Sequence, residues 1–261
     1  MCIRDSDDIR EAGGTMVSFA SYCGGLVAPA SDDNPWHYKL SWNPRNVVLA
    51  GQGGAATFLD RGRVRMVPPH KTFQALTPVE VGGRKYDGYP NRDSLGYREL
   101  YGLQGIQSLV RGTLRGEGFC QAWDVLVQLG MVRDDASLEW PSGTTWAGWT
   151  RTFLPADLDG VGTVREAVAH ATEAEAEALD KLAWLGLFDE VKGPASLEGT
   201  PAQIVEALVT DRWVLGANDR DMIVMWHKFE YDLEGERKAT TSSLSLEGKD
   251  STFTAMSDTV G

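Results

Sequence analysis

Residues 89–116 read YPNRDSLGYRELYGLQGIQSLVRGTLRG and place four arginines, Arg92, Arg98, Arg111 and Arg115, in an otherwise acidic chain. The runs Pro-Asn-Arg-Asp-Ser and Arg-Gly-Thr-Leu-Arg are typical of short polar turns. A guanidinium group offers a planar fork of donors that matches a carboxylate or a phosphate. Arginines on turns therefore indicate a pocket for a small anion, although solvated surface arginines would show the same spacing.

The composition limits the partners that such a pocket can have. The 261 residues are 42% hydrophobic and 24% charged, with a formal net charge of −12, and can bury a core as one large domain or two small ones. No basic stripe for nucleic acid is present. No apolar run approaches the roughly 18 residues of a membrane span, and the N-terminus lacks a signal-peptide core. We predict a cytoplasmic protein with no nucleic-acid or membrane partner.

The cysteines and histidines predict neither disulfides nor a metal site. The three cysteines are far apart in the sequence, and the four histidines lack metal-ligand spacing. Cys23 lies in the run Tyr22-Cys23-Gly24-Gly25, whose glycines allow a ligand to approach the backbone closely. Because no base is evident beside Cys23, we favour a buried thiol over a nucleophile, with a pocket wall as a middle interpretation.

Hydrophobic patterning predicts an α/β fold, a mixed sheet with an all-helical insertion. Predicted strands are Thr15–Ala20, Val64–Val67, Lys85–Tyr89 and the hairpin Met222–Tyr231 with Lys238–Leu246, turning at Asp232–Gly235. Predicted helices end at Gly13–Gly14 and cover 119–131, one or two helices within 167–188, and Pro201–Val209. We predict that 13–118 and 216–261 form the sheet domain, 119–215 the helical insertion, and 1–12 a truncated or foreign segment.

The run Gly51-Gln52-Gly53-Gly54-Ala55-Ala56 fits the pattern GxGxxA. A dinucleotide fingerprint needs a strand, a glycine turn and a helix, with an acid about 20 residues further on. No acidic residue stands near position 71 before Glu80, and a full βαβ unit is not evident. We therefore predict that this run binds no cofactor.

Five motifs in one order resemble the saccharopine dehydrogenase family, the glutamate-forming kind also called saccharopine reductase. They are SYCGGL with DNP and YK.SW, YPNRDS with YRELYG, RGTLR, DKLAWLGLF and RDMIVMWHKFEY, and the similarity runs from about Gly13 to the last residue. The resemblance implies the substrate-binding and dimerisation part of a homodimeric oxidoreductase of lysine metabolism. Such an enzyme interconverts saccharopine with L-glutamate and aminoadipate semialdehyde, using NADP or NAD.

The resemblance also implies which residues bind saccharopine. Arg92 and the segment 113–115 correspond to positions that hold carboxylates, the SYCGG turn lies at the pocket, and the turn containing Trp42 approaches it. The predicted substrate-binding residues are Arg92, Thr113, Leu114, Arg115, Cys23, Tyr22 and Asn43. We expect Asn91, Asp93 and Ser94 to orient Arg92, and Arg98 and Arg111 to be structural or at an interface. The acid–base group for imine hydrolysis is not identified.

In the resembling family a Rossmann unit that holds the cofactor precedes the matched segment. We therefore expect this chain to lack that unit, to be cut at both ends and to be inactive alone. The choice between NAD and NADP, and between lysine synthesis and breakdown, stays open. One alternative is an imine-reducing enzyme of polyamine synthesis, such as carboxynorspermidine dehydrogenase, although a cationic substrate would require acidic clamps. The other is a non-catalytic binding or dimerisation module.

Overall fold

A computed structural model describes residues 2–260, with side chains over 5–259, and shows a mixed α/β fold. The strands are β1 Thr15–Val27, β2 Ala56–Asp60, β3 Arg63–Val67, β4 Thr77–Val81, β5 Arg84–Pro90, β6 Ser108–Gly116, β7 Leu138–Glu139, β8 Glu198–Gly199, β9 Asp221–Leu233 and β10 Glu236–Glu247. The helices are α1 Cys2–Glu11, α2 Pro44–Val48, α3 Tyr97–Leu100, α4 Phe119–Leu129, α5 Trp146–Arg151, α6 Val164–Thr172, α7 Ala176–Leu185, α8 Pro201–Arg212 and α9 Ala255–Val260.

Eight strands form one sheet, whose main path follows the order β10-β9-β1-β6-β2-β3. Strand β6 has two neighbours on its outer side, because it pairs with β2 at Leu109 and with β5 over residues 112–116. Strands β1 and β6 run parallel, and the other described pairs of the sheet run antiparallel. This mixed sheet, with helices beside it, confirms the predicted fold class.

The strand register decides which predicted site residues share a face of the sheet. Cys23 lies beside Thr113, whereas Tyr22 lies beside Gly112. Because side chains alternate along a strand, Cys23 and Tyr22 point to opposite faces. We call the face that carries Cys23, Thr113 and Arg115 the arginine face.

The opposite face carries a small apolar core. Tyr22, Leu114 and Val224 pack there against Val79 of β4. The Tyr22 ring lies directly over Gly112, where an added Cβ atom would stand only 2.3 Å from a ring carbon. Glycine is therefore required at this point of β6, since any side chain would displace the tyrosine.

The helical region between β6 and β9 shares its core with the segment before α2. Trp36 and Tyr38 are fully buried against Phe119, Trp123 and Trp213. The indole N–H of Trp36 also donates to the Lys181 carbonyl at 2.8 Å. The domain boundaries stay a prediction, but the largest apolar cluster crosses both of the predicted parts.

The run SYCGG, expected to be a turn, lies inside strand β1, which continues to Val27. Three further details differ from the sequence prediction. The insertion is not all-helical, because β7 and β8 form a two-residue ribbon, too short for alternation to reveal. The run 111–115 lies inside strand β6 rather than in a turn; Gly112 resembles a turn residue but serves the close approach of Tyr22. The β9–β10 turn is also tighter than predicted, with positive φ at Glu234 and Gly235.

Candidate functional site

A pocket of about 260 Å3 lies where the turn after β5 meets the arginine face. Its lining residues are Trp42, Asn46, Ala50, Tyr89, Asn91, Arg92, Thr113 and Arg115. Three of the seven predicted substrate-binding residues, Arg92, Thr113 and Arg115, therefore come together. Both neighbouring strands contribute, because Tyr89 of β5 is in register with Thr113 of β6.

Arg115 is the most unusual side chain of the pocket. It is only 2% exposed, and its Nε has no hydrogen-bond partner in the described part of the chain. Its guanidinium carbon lies 5.0 Å from the centre of the Tyr38 ring and 5.4 Å from that of Phe119. No described carboxylate forms an ion pair with it. A buried charge that meets only rings and neutral groups favours an anionic ligand.

Tyr89 lies between the other donors of the pocket. It is 3% exposed, and its hydroxyl is close to both Thr113 and Arg115. Burial raises the pKa of Tyr89 above that of an ordinary phenol. The hydroxyl group therefore stays protonated at neutral pH and can donate to a bound carboxylate.

Arg92 projects from the turn that follows β5. It is exposed and has a φ of 50°, the left-handed region that few residues other than glycine adopt. An arginine in this conformation is held there by the surrounding structure, at a cost in backbone energy. Arg92 therefore provides a second cation at the rim, opposite the buried charge of Arg115.

Asp93 and Ser94 form hydrogen bonds with the turn that carries Arg92 and with the neighbouring strands. Asp93 accepts hydrogen bonds from the Thr57 hydroxyl and from the backbone of Leu95 and Gly96. The Ser94 hydroxyl accepts from the backbone N–H of Arg111 at 2.9 Å. Both residues fix the turn rather than bond to the guanidinium group. Asn91 differs from them, because it lines the pocket itself.

Segment 42–50 forms one wall of the pocket, with Trp42, Asn46 and Ala50 in its lining. The Trp42 indole donates to the Tyr38 hydroxyl at 3.0 Å, which holds the ring over the pocket. Asn43 does not line the pocket, because its side-chain oxygen accepts from the Arg45 N–H at 3.0 Å and caps α2. Its predicted contact with substrate stays a prediction, and the structure gives it a structural role.

The other predicted residues divide between the two faces of the sheet. Cys23 is partly exposed on the arginine face beside Thr113. Tyr22 and Leu114 are buried on the opposite face, where the Tyr22 hydroxyl donates to the Thr77 hydroxyl at 3.3 Å. Their side chains do not reach the pocket, so their predicted substrate contact remains untested.

Two predicted structural arginines have internal contacts. Arg111 stacks on the Tyr97 ring, with 3.7 Å from the guanidinium carbon to the ring centre. Arg98 donates to the Gln104 carbonyl at 2.6 Å. Sequence reasoning missed Tyr89 and Asn46, since only the β5–β6 register and the fold of α2 bring them to the arginines.

The glycine run 51–56 does not fit the dinucleotide fingerprint. Gly51 ends a short 3-10 turn after α2, and the following glycines lead into strand β2. This order is helix, glycines, strand, the reverse of the fingerprint, in which a strand leads into a glycine turn and a helix. In the described part of the chain, no group of three or more His, Cys, Asp or Glu side chains could hold a metal ion, and no helix is long and apolar enough to span a membrane.

Comparison with known proteins identifies the family. The family model of the saccharopine dehydrogenase C-terminal domain matches residues 1–261. The chain belongs to the saccharopine dehydrogenase C-terminal domain family. The match begins at the first residue, earlier than the similarity from Gly13 that the motifs predicted.

Relatives named saccharopine dehydrogenase or alpha-aminoadipic semialdehyde synthase match nearly the whole chain. The Saccharomyces cerevisiae saccharopine dehydrogenase [NADP(+), L-glutamate-forming] is 32% identical over 99% of this chain and 59% of the relative. The bovine mitochondrial alpha-aminoadipic semialdehyde synthase is 33% identical over 98% of this chain and 28% of the relative. The solved apo structure of yeast saccharopine dehydrogenase (L-Glu forming) superposes with a TM-score of 0.84, at 31% identity over 99% of this chain and 59% of that one. The chain thus spans well under two thirds of these relatives.

Proposed function

We propose that this chain binds the substrate of an oxidoreductase that interconverts saccharopine with L-glutamate and aminoadipate semialdehyde. Arg115 carries the proposal, because this buried cation faces a pocket without a carboxylate partner among the described residues. Saccharopine has three carboxylates and one secondary amine, so it supplies the missing negative charge. The family assignment supports the same substrate.

Different residues of the pocket bind different carboxylates of the proposed substrate. Arg115 neutralises one carboxylate inside the pocket, and Arg92 clamps another at the rim. The hydroxyl groups of Thr113 and Tyr89 donate to the buried carboxylate, and the Trp42 ring covers the pocket from solvent. Two fixed carboxylates orient the C–N bond of the substrate, which is the contribution that binding makes to the rate.

The lining of the pocket favours this substrate over a polyamine precursor. None of the eight lining residues is an aspartate or a glutamate, whereas two are arginines. A cationic substrate would meet positive charge here without compensation. The names of the relatives also favour saccharopine over the polyamine alternative.

The cofactor and the assembly complete the proposal. The yeast relative's name specifies NADP(+), and we propose NADP(H) as the hydride carrier of the whole enzyme. The glycine run of this chain does not fit the dinucleotide. We therefore assign no step of hydride transfer to the residues of this run. A homodimer is proposed from the family resemblance, and light scattering on the purified protein tests it. The cytoplasmic location stays the proposal made from the sequence.

Saccharopine-dependent reduction of NADP(+) by the complete gene product tests the proposed function. We expect Arg115→Met and Arg92→Ala each to lower kcat/KM roughly a hundredfold, since each removes a charged partner of a bound carboxylate. Arg65→Met is the matched control, because Arg65 is exposed on β3 and pairs with Asp60. A folded enzyme that does not oxidise saccharopine would refute the proposal.

A further inference from the structure

We infer that Thr57 and Asp93 are positioning residues that hold Arg92 in its anion-binding conformation. The inference rests on the proposed function and extends it to strand β2, which contributes nothing to the pocket lining. Neither residue lines the pocket, so both must act through the turn that carries Arg92.

Asp93 has both carboxylate oxygens occupied by turn contacts. Oδ1 accepts from the Thr57 hydroxyl at 2.7 Å and from the Leu95 N–H at 2.9 Å. Oδ2 accepts from the Gly96 N–H at 3.1 Å. The carboxylate therefore closes the turn on its C-terminal side and joins it to β2.

Thr57 forms hydrogen bonds with three consecutive residues of the same turn. Its backbone N–H donates to the Arg92 carbonyl at 2.9 Å, and its carbonyl accepts from the Ser94 N–H at 2.7 Å. Its hydroxyl binds Asp93 between them. One residue of β2 thus fixes the peptide groups on both sides of Asp93.

The ends of the turn are anchored separately to β6. The Asn91 N–H donates to the Arg111 carbonyl at 3.0 Å, and the Ser94 hydroxyl accepts from the Arg111 N–H at 2.9 Å. These bonds fix only the two ends of the turn, so the backbone between them is held by Thr57 and Asp93. Because Arg92 has a φ of 50°, the middle requires such a clamp, since arginine does not favour this region by itself.

Loss of the clamp should therefore weaken anion binding without unfolding the protein. A displacement of about 1 Å at a charged contact is enough to change binding and rate strongly. Asp93→Asn replaces one accepting oxygen by an NH2 group that faces an N–H donor. Thr57→Val removes the hydroxyl with little change of shape, and Thr57→Ser retains it.

The experiment is an NMR titration of the 261-residue chain with saccharopine, following the arginine side-chain Nε signals. We expect Asp93→Asn and Thr57→Val to raise Kd about tenfold and Thr57→Ser to leave it near the wild-type value. Asp60→Asn is the matched control, because Asp60 lies on the same β2–β3 hairpin and pairs with Arg65 instead. Dispersed backbone spectra establish that each variant is folded.

A double-mutant cycle separates positioning from a general structural effect. If Asp93 acts through Arg92, Asp93→Asn causes no further loss of affinity in the Arg92→Ala background, whereas independent effects add. Additive losses, or unchanged Kd in folded Asp93→Asn and Thr57→Val, overturn the inference and leave the proposed function intact. Saccharopine binding that is unchanged by Arg92→Ala and Arg115→Met overturns both.

Discussion

The binding role proposed for Arg115 comes at the expense of stability. Its guanidinium is buried, and its Nε has no partner among the described residues. Replacing a buried, incompletely compensated charge by an apolar side chain of similar length is often stabilising. We predict that Arg115→Met makes the ligand-free chain more stable by about 1 kcal/mol in urea unfolding while it abolishes saccharopine binding.

Exposed Arg65 provides the comparison for this prediction. Arg65→Met removes the same charge from a surface ion pair with Asp60, so it should change the unfolding midpoint very little. A destabilised Arg115→Met protein would show that the rings of Tyr38 and Phe119 compensate the guanidinium fully. In that case an anion is not needed to explain the buried arginine.

His227 predicts a pH dependence of stability. It lies on the arginine face in register with Ser21, close to the Phe19 and Phe229 rings, and burial lowers its pKa. The imidazole of His227 is therefore protonated less readily in the folded chain than in the unfolded chain. Stability from neutral His227 is complete above the unfolded pKa of about 6.5 and is lost as pH falls through the lower folded pKa.

Replacement of His227 by glutamine should remove that part of the acid sensitivity. We expect the loss of unfolding free energy between about pH 7.5 and about pH 5, a range that spans the ordinary histidine pKa, to be smaller in His227→Gln than in the wild type. His170→Gln is the control, because His170 is exposed on α6. Equal losses in all three proteins would show that other groups set the acid limit.

At the scale of the element, β6 depends on a glycine that the sequence alone did not explain. A Cβ atom at Gly112 would stand 2.3 Å from the Tyr22 ring and 2.5 Å from the Tyr89 carbonyl oxygen. We predict that Gly112→Ala destabilises the chain by about 3 kcal/mol in urea unfolding, because both neighbours are buried. Gly105→Ala, where the new methyl group meets nothing within 4 Å, should cost far less.

A comparison of helix α4 with strand β6 shows why some elements were predictable from the sequence and others were not. Helix α4 shows a clear apolar period and ends at Gly130, which adopts a φ of 77° as a helix stop requires. Strand β6 has no such local signal, since Gly112 and flanking arginines suggest a turn. Its conformation is imposed by pairing with β1 and β5, which are distant in sequence.

The candidate site was predictable to a similar extent. Arg92, Thr113 and Arg115 could be named because arginines near small polar residues have a recognisable chemistry, reinforced by the family resemblance. The burial of Arg115 and the approach of Tyr89 could not be inferred, since both depend on strand register. Strand register also decides the placement of Tyr22, because one step along β1 from Cys23 moves a side chain to the other face of the sheet.

At the scale of the molecule, the aromatic core joins regions that the sequence suggested as separate. Trp36 contacts Phe119, Trp123 and Trp213, with ring centres 5.3–6.0 Å apart. Tyr38 connects this cluster to the pocket through its stacking under Arg115 and its bond to Trp42. The helical region therefore supports the wall of the site as well as its own fold.

This shared core predicts that sheet and helices unfold together. Trp36→Ala should remove about 4 kcal/mol from the free energy of unfolding, since Trp36 is fully buried. In native-state hydrogen exchange, amides of β1 and of α4 should lose protection by equal amounts, because both rely on one cooperative unit. Phe253→Ala, which removes an exposed ring, should change neither set. Loss of protection confined to α4–α8 would instead establish an independent helical domain.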